Sequence, residues 1–188
     1  MPKAGEIATS LYGAWRLAHL DAGGMRYFGT SVEAFWGSFF AAIIVGPFFS
    51  ILMVMRFELG LVETTAERFV AVEAIAYVIA WVVFPYIMLG IARLLERDEH
   101  YVRFIVAYNW SAVLQNALYM PIVALTITGA IPPALASALG LITLAVILFY
   151  TWFITRTALD IAGSAAVAIV LLDLILSIFV DAYADSIL

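Results

Sequence analysis

Residues Phe35 to Met55 read FWGSFFAAIIVGPFFSILMVM, 21 positions without an ionisable side chain. At about 1.5 Å of rise per residue such a run forms a helix roughly 30 Å long, the thickness of a bilayer's hydrocarbon core. Four more apolar stretches follow, at Phe69 to Ala92, Phe104 to Gly129, Pro133 to Thr155 and Ala158 to Val180. The chain therefore reads as all-α, a bundle of five transmembrane helices over residues 31–188, preceded by a segment of residues 1–30. Composition agrees: 65% of residues are hydrophobic and 12% charged, with a mean hydropathy of +1.06, against about 25% charged in a soluble domain. Five spans in 188 residues leave no room for a separate soluble catalytic domain.

Local signals mark the ends. Thr30-x-x-Glu33 and Thr64-x-x-Glu67 have capping-box spacing before spans 1 and 2, and Pro132 and Pro133 suit the first turn of span 4. Spans 3 and 4 must then form a tight hairpin through Gly129 to Pro133. Pro47, Pro85 and Pro121 each remove a helical hydrogen bond inside a span. Small residues four apart, Gly37 and Ala41, Ala136 and Gly140, Ser164 and Ala168, permit close helix approach.

The nine basic residues segregate when loops alternate between the two sides. Lys3, Arg16, Arg26, Arg93, Arg97, Arg103 and Arg156 fall on one side, Arg56 and Arg68 on the other. This places the N-terminus in the cytoplasm and the C-terminus outside. The N-terminal segment has no unbroken apolar core and no small-residue cleavage site, so the first span is expected to serve as the insertion signal. Within it, Ile7, Leu11, Ala14, Trp15 and Ala18 share one helical face, with Thr9, Ser10, Gly13 and Arg16 opposite. A helix lying in the membrane interface fits this pattern, anchored by Tyr12, Trp15 and Arg16; a docking helix for a protein partner is the alternative.

Few polar residues lie at membrane depth. Asp173, in LLDLILSIF, would cost several kcal/mol as an unpaired charge and needs a partner, water or a proton. Ser177 and Asp181 continue its stripe, and residue counting puts Asp173 in the outer half of the bilayer, level with Glu73 of span 2. If the two carboxylates meet, they form a shared-proton or cation site. Otherwise Glu73 pairs with Arg68 or faces the interface, and Asp173 bonds to a neighbouring helix. Span 3 carries Asn109 and Asn116 on one face and Gln115 a third of a turn away, suited either to joining helices or to lining a solute path.

Motifs for chemistry are missing. His19 and His100 have no metal-ligand spacing, and no nucleophile elbow or phosphate loop occurs. Asp160 and Asp173 are 13 residues apart on different helix faces and cannot form a dyad. Without cysteine there are no disulfides, thiolate metal sites or thioether haems. Glu96 to His100 reads as a solvated loop, and no basic, aromatic-laced surface suggests nucleic acid. No enzyme activity, metal or cofactor is expected.

The polar-aromatic third span, YNWSAVLQNALYMP (Tyr108 to Pro121), and the approach to the fifth, FITRTALDIAGSAAVAIVLL (Phe153 to Leu172), resemble the Yip1-domain superfamily, as does the order of an N-terminal segment and five close spans. The likeness runs over about residues 10–180 and is to bacterial members, which implies a bacterial inner membrane. The DLYGP and GYG-type signatures of eukaryotic relatives linked to membrane trafficking are absent, so that role does not carry over. The expected function is a non-enzymatic membrane protein that associates with itself or with other membrane proteins as an organising or accessory subunit. The alternative is a small channel or proton-coupled transporter in which Glu73, Asn109, Gln115, Asn116, Asp173 and Ser177 line the path. Lipid binding in a groove between helices is a third possibility.

Overall fold

The computed structural model describes all 188 residues, Met1 to Leu188. It contains α1 (Ala4–Ala18), a 3₁₀ turn (Ala22–Tyr27), α2 (Val32–Ser38), α3 (Phe40–Glu58), α4 (Ala66–Leu94), α5 (Asp98–Ile127), α6 (Pro133–Leu159) and α7 (Gly163–Ser186), and no strand. Five helical stretches are long and apolar enough to cross a membrane: Val32–Glu58, counting α2 and α3 together, and α4 to α7. Only 36 of 188 residues are buried, while Phe48, Ile51, Val78, Tyr86, Leu141, Leu171 and Phe179 are among many large apolar side chains left outside. A soluble protein does not tolerate so much exposed apolar surface; lipid does. This is a multi-pass membrane protein.

α5 is the central post, packed against α1, α2, α3, α4 and α6, while α7 closes the bundle against α4 and α6. Bulky residues of α4 and α5 (Phe84, Met88, Phe104, Trp110) and of α6 (Tyr150, Ile154, Leu159) form one core with Ala14, Leu17, Met25 and Phe28 of the N-terminal segment.

Element ends differ from the sequence reading for identifiable reasons. The capping residues are Ser31 and Thr65, one position later than expected, accepting from the backbone N–H groups of Ala34 and Arg68. The first span breaks at Phe39, where Phe39 N–H bonds Trp36 O and Ala42 N–H bonds Phe39 O, three residues back rather than four. The expected loop Glu96 to His100 is largely helix: Asp98 and Glu99 occupy the first turn of α5, where negative charge suits the helix dipole. Ala158 belongs to α6, not to the fifth span. Arg103 donates to Ala158 O (3.1 Å) and Arg97 to Asp160 O (3.2 Å), satisfying carbonyls that the helix end leaves free. At the opposite end Gly60 and Gly129 take φ of +66° just past α3 and α5, the left-handed turn that a side chain would strain.

Candidate functional site

The N-terminal helix is joined to the bundle through a face that the apolar pattern marks only in part, with Ile7, Leu11 and Ala14 packed in or against the core. Ser10, Gly13, Ala14 and Leu17 are buried, whereas Tyr12 and Trp15 remain 52% and 56% exposed and Ala18 is exposed. In lipid an apolar side chain gains little by leaving the surface, so small residues that permit backbone approach select the docked face. A Cβ on Gly24 would sit 2.7 Å from Gly13 O, and one on Gly13 2.9 Å from Tyr27 Cβ. Tyr150 of α6 secures the joint: its hydroxyl lies 2.7 Å from Ala14 O and 2.9 Å from Ser111 Oγ. A phenol has one proton and a carbonyl only accepts, so the tyrosine donates to Ala14 and the serine hydroxyl donates to the tyrosine. Arg16 closes the turn that follows α1. It grips the Asp21 carboxylate in a two-point ion pair and donates to Tyr27 Oη (3.2 Å). That grip, together with the Gly23 N–H at 2.8 Å, holds the Asp21 carboxyl below its usual range.

Deeper in the bundle the polar side chains separate. Asn109, fully buried, donates through Nδ2 to Ser38 Oγ (2.8 Å), whose own proton goes to Phe35 O (2.7 Å). Gln115 donates to Thr151 Oγ1 on α6 (3.1 Å), and Thr151 donates to Ile147 O (2.9 Å). Asn116 turns back onto its own helix, donating to Ala112 O (2.8 Å). The three amides thus serve α2, α6 and α5 itself.

The carboxylates are separated too. Tyr108 Oη donates to Asp173 Oδ1 (2.9 Å), tying α5 to α7. Glu73 receives Arg56 Nη1 at 2.8 Å, and Arg56 Nη2 reaches Asp185 at 3.0 Å, tying α3 to α4 and α7. The expected neighbour Arg68 instead donates to Ile187 O (2.6 Å). The two also stand at different heights along the bundle. α7 runs Gly163–Ser186, so Asp173 lies ten residues, about 15 Å, from its start, near the middle of the helix. Glu73 is seven residues, about 10 Å, from the start of α4. Asp173 is thirteen residues, about 20 Å, from the end of α7 that packs beside that start, so the two carboxylates are not level. Ser177 is exposed on α7, outside any polar cluster.

The sequence reading did not single out Ser38, Ser111, Tyr150, Thr151 or Arg56. Hydroxyls in apolar helices carry little signal alone, since each can bond its own backbone; Arg56 could have been found, as one of only two bases near the far end of the bundle. No three His, Asp or Glu side chains are grouped so as to hold a metal ion. No family model, curated protein or solved structure matches the chain.

Proposed function

We propose that this is a non-enzymatic membrane protein that associates with itself or with other membrane proteins as an organising or accessory subunit. The observation that carries the proposal is the dispersal of the polar groups. Asn109, Gln115, Asp173 and Glu73 each bond a different neighbour, which supports a rigid bundle and leaves the outer surface as the part free to act. Two small-residue pairs suit helix-to-helix contact between chains: Ser164 and Ala168 are exposed on α7, and Gly140 is exposed beside half-buried Ala136 on α6. Ala41 of the third pair is already buried inside the protomer. Kinship with bacterial Yip1-domain proteins, an inner-membrane location, a cytoplasmic N-terminus and a periplasmic C-terminus belong to the same proposal; the seven-to-two division of basic residues supports the orientation.

Subunit counting by single-molecule photobleaching in liposomes, over a range of dilutions, tests the reading. Oligomers that dissociate when Ser164 and Ala168 are both replaced by Leu are the expected result; monomers at every dilution, with no membrane protein co-purifying, would overturn it. The mid-helix Asp173 favours proton-coupled transport as the second reading. Proton flux in the same liposomes, abolished by Asp173→Asn, would replace the first reading with the second.

A further inference from the structure

A cleft of about 1110 Å³ separates α1 from the start of the first span. Its lining combines exposed Lys3, Glu6, Glu33 and Trp36 with half-buried Phe40 and buried Trp110. None of the three charged side chains is in an ion pair; Glu6 only accepts the Lys3 backbone N–H at 2.8 Å. The cleft runs along α2 and α3 from Glu33 to Ile43, ten residues or about 15 Å, half the thickness of a hydrocarbon core. Trp36, 68% exposed, is of the residue type that settles at the headgroup level.

These dimensions and charges describe an amphiphile one leaflet deep, with both signs of charge in its headgroup. We infer that the cleft binds one zwitterionic phospholipid bearing a primary ammonium, from the leaflet on the N-terminal side. Lys3 meets the phosphate, Glu33 accepts hydrogen bonds from the ammonium, and an acyl chain lies along Phe40 and Ile43. A helix from a second chain fits less well, because it would bring Lys3 and Glu33 out of water without partners for either.

The test uses the full chain, equilibrated with vesicles holding equal parts phosphatidylethanolamine, phosphatidylcholine and phosphatidylglycerol, then examined by native mass spectrometry. Phosphatidylethanolamine should be retained about tenfold over the other two, the ratio expected from one charged hydrogen-bond set. Glu33→Gln, a change at an exposed residue outside any ion pair, whose carboxylate keeps acceptor capacity beyond its bonds to the Ser31 hydroxyl and its own backbone N–H, should bring the ethanolamine-to-choline ratio near one. Gly37→Leu should expel the lipid by filling the cleft, since a Cβ there meets only Pro2 Cβ at 3.9 Å; circular dichroism checks that the fold is kept. Equal retention of the three headgroups, a preference unchanged in Glu33→Gln, or lipid-free dimers that shield Trp36 would each overturn the inference.

Discussion

Replacing Tyr150 by Phe removes one oxygen from a site where three helices meet. Tyr150 is 7% exposed, and both of its partners, Ala14 and Ser111, are fully buried. The substitution leaves the Ala14 carbonyl without its donor from α6 and frees the Ser111 hydroxyl, both at positions shielded from the surface. A buried polar group left unpaired costs about 1–3 kcal/mol, while side-chain hydrogen bonds in membrane proteins average about 0.6 kcal/mol. The Ala14 carbonyl keeps the Ala18 N–H of its own helix, so a second bond is lost and the cost lies between these ranges. Docking of α1 is expected to weaken by about 1 kcal/mol, a roughly fivefold rise in the undocked population. Hydrogen exchange of the amides in residues 4–18, measured in nanodiscs, reads that population directly. Ser111→Ala is the control: it removes a donor but leaves the Tyr150 to Ala14 bond, so its effect should stay below about 1 kcal/mol. Unchanged protection in Tyr150→Phe, or equal effects of the two variants, would refute the account of α1 as a helix held by this hydroxyl.

Three other outcomes follow from the packing and the ion pairs. Gly24→Ala puts a methyl group 2.7 Å from Gly13 O and 2.9 Å from Leu17 Cγ, and should lower stability by about 1–3 kcal/mol in a thermal melt, whereas Gly5→Ala, in α1 where nothing lies within 4 Å, should not lower it. Arg56→Met leaves the Glu73 carboxylate, only 10% exposed, without its partner and should cost about 3 kcal/mol in reversible unfolding, whereas Asp185→Asn, at a side chain 61% exposed, should cost less than about 1 kcal/mol; equal losses would contradict the assignment of Glu73 as the buried partner. Because Arg16 depresses the Asp21 pKa, the stability this pair contributes is fully present above the ordinary aspartate value of about 3.9 and is lost as pH falls through the lower folded value. Exchange protection of residues 21–27 should therefore hold at pH 5 and fall below about pH 4, and Asp21→Asn should remove that dependence.

The legible parts of this protein are those that depend on neighbours in sequence. A run such as Phe35 to Met55 becomes a spanning helix because its own backbone must satisfy itself in lipid, whatever surrounds it, and Pro132 and Pro133 start α6 through their fixed φ and missing N–H. Helix ends were legible only approximately, since Ala158 and Asp98 are drawn into helices by Arg103 from another element and by the dipole of a first turn.

Sequence by itself thus determined the class, the number of spans and the identity of the few polar groups within them. Tertiary structure alone decided their partners. Asn109 and Gln115, six residues apart on one helix, bond to α2 and to α6, and the Glu73 carboxylate is held by an arginine from the preceding helix rather than by Asp173. The physical reason is that hydrophobic burial does not sort helix faces when the solvent is itself apolar. What sorts them is close approach at small residues and the pairing of scattered polar atoms, and both depend on which helix stands next to which.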